Sequence, residues 1–191
     1  RTGKRVVRLM SGDPFVYASG PEEARACVKA DIGFEIVPGV SSVSAVPAYA
    51  GIPLSTKDHR ELAVLTCSDE KALKSIDWSA YAGSTTLVLL SACKSVGAVA
   101  DALMAAGRSA DTPVSMTRTG TLTTQQTVVS TLADIAVDAR KAKLESPVIT
   151  VIGPVVDLRE TLSWFETKPL FGWRVLVPRT KEQSASMTDR I

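Results

Sequence analysis

Residues Val6 to Gly20 read VVRLMSGDPFVYASG, and the fold class can be predicted from their pattern. A β-branched apolar run predicts a strand over 5–10, and it stops at a turn of small and loop-forming residues, 11–14. The helix predicted over 20–32 has a proline and two glutamates in its first turn, which is a helix-start signal. Strand, short glycine loop and helix in this order indicate an α/β protein.

The same alternation continues along the chain. Further strands are predicted at 33–42, 61–67, 84–92, 112–120, 124–132 and 147–156. Helices are predicted at 44–53, within 69–83, at 95–107 and at 132–143. The run STTLVLLSA, 84–92, is apolar without alternation, which is typical of a strand buried on both faces.

Composition excludes several classes of function. The 191 residues carry a formal net charge of +2 with no basic patch, so a nucleic-acid-binding protein is not expected. No apolar run approaches the ~18 residues of a membrane span. Cys27, Cys67 and Cys93 are odd in number and widely spaced, which favours a reducing, cytoplasmic location. With a single histidine, His59, no structural metal site is expected.

Three loops are candidates for a ligand site: 11–14, 38–42 and 119–121. Each lies at the carboxyl end of a predicted strand, which is where open α/β sheets bind their ligands. None has the glycine spacing of a dinucleotide-binding loop or a P-loop. Each loop alone is equally well an ordinary turn, because Asp-Pro and Pro-Gly mark loops everywhere. Together they predict a small-molecule cleft, whose chemistry these residues leave open.

Five segments resemble a known family in its order and spacing. They are GKRVVRLMSGDPFVYASG (3–20), FEIVPGVSSVSAVPAYAGIPL (34–54), AAGRSADTPV (105–114), TGTLTTQQTVVSTLADIA (119–136) and PVITVIGPVVDLRETLSWFE (147–166). They look like the uroporphyrinogen-III C-methyltransferases of the tetrapyrrole methylase superfamily. The segment PLFGWRVLVPRTKEQ, 169–183, is similar to the start of uroporphyrinogen-III synthase, so the resemblance implies a fusion of the two.

The resemblance implies a homodimer of two α/β subdomains with a cofactor cleft between them. Methyl groups would pass from S-adenosyl-L-methionine, leaving S-adenosyl-L-homocysteine, to uroporphyrinogen III, giving precorrin-2 for sirohaem and cobalamin. By motif position the cofactor-binding residues are Ser11, Gly12, Asp13, Val16, Ser41, Ser42, Ser91 and Gly120. The substrate's carboxylates call for cations. Candidates by sequence proximity are Arg8, Lys57, Arg60 and Arg118.

The resemblance also divides the chain. Residues 1–54 are expected to be the C-terminal part of the first subdomain and 55–158 the second. A linker at 159–170 and the first strand of a synthase-like domain at 171–191 are expected to follow. The chain is thus expected to be truncated at both ends, and its first subdomain to show an unpaired sheet edge or to gain a partner strand from a second chain. The family's presumed acid/base residues would precede it, so no proton acceptor can be named.

Several positions depart from the family pattern. Met10-Ser11 stands in place of Lys-Gly in R-L-K-G-G-D-P, and Tyr17–Gly20 in place of F-G-R-G. Ser55–Lys57 replaces T-H-R, Cys67-Ser68 replaces G-H, and 90–92 replaces Y-M-G. Nearly all these changes are expected in the cleft. An alternative is therefore a degenerate, non-catalytic methylase-like scaffold that dimerises or stabilises an attached, active synthase.

Overall fold

The computed structural model describes residues 3–67, 69–176 and 178. The helices are α1 Gly20–Lys29, α2 Ser42–Tyr49, α3 Glu70–Lys74, α4 Val96–Ala105, α5 Ile135–Lys141 and α6 Arg159–Leu162, with short 3-10 helices at Trp78–Tyr81 and Pro154–Leu158. The strands are β1 Leu62–Thr66, β2 Thr86–Leu90, β3 Pro113–Arg118, β4 Gln126–Thr131 and β5 Val148–Ile152. The predicted α/β class is confirmed.

The five strands form one mixed sheet in the order β1-β2-β5-β3-β4. β1 and β2 are parallel, and β5 runs antiparallel to both of its neighbours, β2 and β3. β2 and β3 therefore point the same way, and their carboxyl ends meet at the same edge of the sheet. β3 and β4, which correspond to the strands predicted at 112–120 and 124–132, form a hairpin with its turn at 119–125.

Helices cover both faces of the central strands β2, β5 and β3. On one face, α4 and α5 pack against β2 and β3 through Leu87, Leu89 and Met116. On the other face, α2 and the 3-10 helix at Pro154–Leu158 pack against Val88 and Val151. Alternate side chains of β2 thus enter different cores, and the first four residues of the strand are fully buried as its apolar sequence predicts.

The N-terminal region departs from the prediction. Residues 4–9 and 33–40 are exposed, Met10 is half-buried, and none of them belongs to a strand, so the strands predicted at 5–10 and 33–42 are wrong. Val6 and Val7 are 87% and 89% exposed. Their β-branched sequence favours extended backbone, but a strand also requires a hydrogen-bonded neighbour. No segment among the described residues pairs with either.

The predicted linker is packed against the rest of the molecule. Residues 159–171, here called the strap, begin with α6 and continue in turns across the end of α2. The Tyr49 ring on α2 lies 5.1 Å from that of Trp164 and 4.7 Å from that of Phe165, between ring centroids. Beyond the strap, residues 173–176 belong to no helix or strand. Of the segment 171–191 predicted to begin a synthase-like domain, residues 177 and 179–191 lie outside the described residues. Within the described part of the chain, no helix is long and apolar enough to span a membrane.

Candidate functional site

A cavity of about 300 Å³ lies beyond the carboxyl ends of β2 and β3. Residues of the N-terminal loops, the start of α2 and the two strand ends line it. They are Ser11, Gly12, Asp13, Val16, Tyr17, Ala18, Val40, Ser41, Ser42, Val43, Ala45, Val46, Leu90, Gly120 and Thr121. This is the position at which α/β sheets bind ligands, and the lining is a mixture of aliphatic side chains, hydroxyls and backbone.

Asp13 joins the first two loops. Its Oδ1 accepts a hydrogen bond from the Phe15 N–H at 2.8 Å, and its Oδ2 accepts one from the Gly39 N–H at 3.1 Å. A Cβ atom added to Gly39 would lie 2.1 Å from the Gly12 carbonyl oxygen. The two loops therefore approach so closely that only glycine fits at 39, and both oxygens of Asp13 are used in holding them together.

The opposite wall of the cavity also depends on a glycine. A Cβ atom added to Gly120 would lie 2.5 Å from the Val46 side chain on α2. The turn after β3 therefore lies directly against the helix. Ser41 caps the N-terminus of this helix, because its Oγ accepts from the Val43 N–H at 3.2 Å. The three loops predicted from the sequence thus meet around one cavity.

Unusual backbone conformations are concentrated here. Tyr17, Ser91, Thr119 and Thr121 have positive φ angles of 52°, 60°, 45° and 72°. Asp31 and Lys143, which also have positive φ, each lie just past the end of a helix, where such angles are common. Non-glycine residues persist in this conformation only when their surroundings hold them, and they cluster at functional sites. The Tyr17 hydroxyl is one such restraint, since it donates to the Val64 carbonyl on β1.

Seven of the eight predicted cofactor residues line the cavity: Ser11, Gly12, Asp13, Val16, Ser41, Ser42 and Gly120. Ser91 does not. It is exposed, and the preceding residue, Leu90, is the one that lines the cavity.

None of the four predicted substrate cations lines the cavity. The Nε of Arg8 lies 3.2 Å from Glu23, on the exposed side of α1. A hydrogen bond from the Ser19 hydroxyl and the Arg8 guanidinium hold the pKa of Glu23 below its usual range. Arg60 donates to the Lys57 carbonyl at 2.8 Å, and both side chains are exposed. Arg118 ends β3, two residues before Gly120, and is the candidate nearest along the chain to a lining residue.

The candidate loops also contain two further lining residues, Val40 and Thr121. Sequence reasoning missed six lining residues, most of them apolar or small: Tyr17, Ala18, Val43, Ala45, Val46 and Leu90. One signal was available. The α2 sequence is apolar on all sides, which indicates contacts on two faces, one in the core and one elsewhere. Cys67, at a departure from the family pattern, is buried at the end of β1, and burial raises its pKa to about 11. Its neighbour Ser68 lies outside the described residues.

The substitution Asp13→Asn tests the role of this carboxylate. Asparagine has one acceptor oxygen for the two N–H groups, so we expect it to lower the free energy of unfolding by about 1–2 kcal/mol, because hydrogen bonds to charged groups are the stronger ones. The melting temperature should fall by about 2–8 °C. Asp101→Asn, on the exposed side of α4, is the control and should melt like the wild type. Equal melting temperatures for all three proteins would show that Asp13 does not hold the loops.

The sequence of the chain matches a known protein family. The family model described as Tetrapyrrole (Corrin/Porphyrin) Methylases matches residues 1–136. The chain belongs to the tetrapyrrole methylase family. All the residues that line the cavity lie within the matched part of this methylase chain.

The curated relatives are longer than this methylase chain. An S-adenosyl-L-methionine-dependent uroporphyrinogen III methyltransferase of Methanosarcina barkeri is 42% identical over 166 residues, covering 85% of this chain and 65% of the relative. Siroheme synthase 1 of Pectobacterium atrosepticum is 42% identical over 170 residues, covering 87% of this chain and 35% of the relative. The chain thus spans less than two thirds of the length of either.

Solved structures share the methylase fold. The uroporphyrin-III-C-methyltransferase of Thermus thermophilus superposes with a TM-score of 0.66 at 30% identity, over 79% of this chain and 64% of that protein. A structure of the Thermus thermophilus enzyme complexed with S-adenyl homocysteine gives a TM-score of 0.62 at 25% identity, over 77% of this chain and 64% of that protein. Both comparisons confirm the predicted fold class.

Proposed function

We propose that this cavity binds S-adenosyl-L-methionine and that the chain contributes to C-methylation of uroporphyrinogen III, giving precorrin-2 for sirohaem and cobalamin. The observation that carries the proposal is the meeting of three loops, separate in sequence, around one cavity at the carboxyl edge of the sheet. The names of the relatives support the same cofactor and substrate class.

The residues present fit such a cofactor. The volume of about 300 Å³ lies at the lower end of the range for small-molecule sites. Aliphatic side chains of Val16, Val40 and Leu90 suit a flat, weakly polar base. Hydroxyls of Ser41 and Ser42 suit the polar groups of a ribose and an amino acid. The first loop and the turn at Gly120 carry short side chains or none. Their backbone groups are therefore within reach of a ligand.

When bound, S-adenosyl-L-methionine supplies an electrophilic methyl group on a positively charged sulfur. The chain then has to bind the cofactor, align it with the substrate and exclude water. It need not supply a nucleophile, because the electron-rich pyrrole carbon of the substrate is itself the nucleophile. Val43 and Val46 supply an apolar part of the lining that would help to exclude water from a bound ligand. Asp13 positions the two loops through backbone N–H groups, so we assign it an indirect role in cofactor binding.

We assign the substrate's carboxylates first to Arg118. It is half-buried at the end of the strand that leads to Gly120. Arg8, whose guanidinium already pairs with Glu23, is a weaker candidate. Lys57 and Arg60 are exposed near one another and remain candidates for the outer rim.

We further propose that the chain acts as a homodimer and within a fusion to uroporphyrinogen-III synthase. The similarity of residues 169–183 to the start of that enzyme supports the fusion. With the proposed boundaries at 54, 158 and 170, the linker 159–170 is part of the packed strap and would separate the two activities. Assay of synthase activity and the sedimentation coefficient of the full-length protein test the two parts of this proposal.

A second candidate function is the non-catalytic scaffold. The observation that favours it is that Ser91, where the family has methionine, is exposed and outside the cavity lining. Three further departures, Met10, Ser11 and Ser19, lie in or near the first loop. In this alternative the methylase fold persists as a support for the attached synthase.

Calorimetric titration with S-adenosyl-L-homocysteine separates the two candidates. We expect saturable binding of one molecule per chain with micromolar affinity, both in the full-length protein and in the 191-residue chain. A folded protein that gives no heat and no thermal stabilisation would contradict the proposal. The family residues can then be restored by the substitutions Met10→Lys, Ser11→Gly, Ser19→Arg and Ser91→Met. If the restored protein still does not bind the cofactor, the non-catalytic scaffold is the function that the data support.

A further inference from the structure

The end of α2 is held by side chains from distant parts of the sequence. The last carbonyls of a helix have no partner within it and need donors from elsewhere. Trp164 Nε1 donates to the Ala48 carbonyl at 3.0 Å, Gln125 Nε2 donates to the Tyr49 carbonyl at 3.2 Å, and an Arg159 guanidinium N–H donates to the Ala50 carbonyl. Three consecutive carbonyls are thus each bound by a side chain. We call Gln125, Arg159, Trp164 and Glu166 the carbonyl clamp.

Glu166 connects the members of the clamp. Its Oε1 accepts from Gln125 Nε2 at 2.7 Å and from the Thr127 hydroxyl at 2.6 Å. Its Oε2 accepts from Arg159 at 2.5 Å, and the two side chains are only 18% and 16% exposed. Charge-assisted hydrogen bonds of this kind are stronger and better directed than neutral ones, particularly away from water. The strap is thereby fixed to the hairpin of β3 and β4.

The clamp reaches both walls of the cavity. Gln125 Oε1 accepts from the Thr121 N–H at 2.8 Å, and Thr121 lines the cavity with its positive φ of 72°. α2, whose far end the clamp holds, lines the cavity from Ser42 to Val46. One amide side chain, that of Gln125, thus contacts the lining turn through its oxygen and the helix and strap through its nitrogen. It is 5% exposed.

We propose that Gln125 is a positioning residue for the ligand site, held in place by Glu166, and that the strap is therefore part of the binding apparatus. The proposal rests on the proposed function, in which the cavity binds the cofactor. Gln125 touches no ligand in this arrangement. It keeps the backbone of Gly120 and Thr121 in the conformation that faces the cavity, and it fixes their distance from α2.

The test is S-adenosyl-L-homocysteine titration of Gln125→Ala at a temperature where circular dichroism shows the variant fully folded. We expect its dissociation constant to rise at least tenfold. Gln126→Ala is the matched control, because the neighbouring Gln126 is exposed and bonds instead to the Ala142 carbonyl. The control should bind within twofold of the wild type. An unchanged dissociation constant in folded Gln125→Ala, even with a lower melting temperature, would overturn the proposal.

Glu166 supplies a second pair of variants, which decides the matter if Gln125→Ala fails to fold. Glu166→Gln keeps an acceptor oxygen for Gln125, whereas Glu166→Ala removes it. We expect the alanine variant to lose at least five times more affinity for S-adenosyl-L-homocysteine than the glutamine variant. Equal affinities in the two variants would show that Glu166 does not hold Gln125 in position.

Hydrogen exchange at the Thr121 amide separates this inference from the proposed function, because it is measured without ligand. Its N–H donates to Gln125, so exchange should be at least tenfold faster in Gln125→Ala and unchanged in Gln126→Ala. If the wild type does not bind S-adenosyl-L-homocysteine, the proposed function fails in this chain. Faster Thr121 exchange would still support the positioning role of Gln125, and unchanged exchange would overturn it.

Discussion

Gly39→Ala is expected to weaken S-adenosyl-L-homocysteine binding by roughly 10- to 100-fold. The new Cβ would lie 2.1 Å from the Gly12 carbonyl oxygen and 3.1 Å from its carbonyl carbon, and both are backbone atoms that cannot rotate away. The loops must separate, and overpacking of this kind costs about 1–3 kcal/mol. About 1.4 kcal/mol corresponds to a tenfold change in affinity, so a cost of this size corresponds to the expected 10- to 100-fold increase in the dissociation constant. Calorimetric titration measures the effect directly.

Gly33→Ala is the control for this substitution. Gly33 lies in the same segment, and an added Cβ would meet no atom within 4 Å. We expect wild-type binding from this variant. If Gly39→Ala also binds like the wild type, the close approach of the two loops does not shape the ligand site.

Arg108→Met is expected to cause the largest loss of stability, about 2–4 kcal/mol, since each partner left without a donor costs about 1–3 kcal/mol. Arg108 follows α4 and is 4% exposed. It donates to the Tyr81 carbonyl at 3.1 Å and to the Thr85 carbonyl at 3.0 Å. Burial lowers the pKa of the Arg108 guanidinium, which means that the buried charge itself is unfavourable. Removing the charge therefore offsets part of the expected loss of stability, but not all of it. Urea unfolding followed by circular dichroism gives the free energy.

Arg140→Met, at the exposed end of α5, is the corresponding control. A surface substitution of this kind changes stability by less than about 0.5 kcal/mol. A midpoint for Arg108→Met that coincides with that of Arg140→Met would mean that the two carbonyls find other partners. Those partners would have to come from water or from a shift of residues 81–85.

Local patterns were sufficient for the elements of the sheet and its helices. The unbroken apolar run of β2 and the helical spacing of α4, closed by Gly107 at a φ of 102°, are each decided by residues within a few positions of one another. The site loops were predictable for a similar reason. Small and loop-forming residues at 11–14 and 38–42 specify turns by their own chemistry.

Long-range relations were not predictable in this way. Residues 5–10 have a strand's composition but no neighbouring strand among the described residues, and composition cannot report a neighbour. Val46 and Leu90 face a cavity, yet an apolar residue beside a cavity has the same sequence signature as one in the core. Gln125 and Glu166 are 41 positions apart, and nothing near either residue indicates their contact. Most of the residues that line the cavity can therefore be predicted from the loop sequences. The hydrogen bonds that support them are seen only in the three-dimensional structure.

The central place of β5 sets the order in which this sheet can be assembled. Among the described residues β5 is the last strand in sequence, yet it lies between β2 and β3. The parallel pair β1–β2 and the hairpin β3–β4 are both synthesised before it, but they have no shared edge until residue 152 has left the ribosome. Each waits with an unpaired edge open to other chains. Folding is thus delayed to the end of synthesis of this region, and a chain interrupted before β5 would be expected to aggregate.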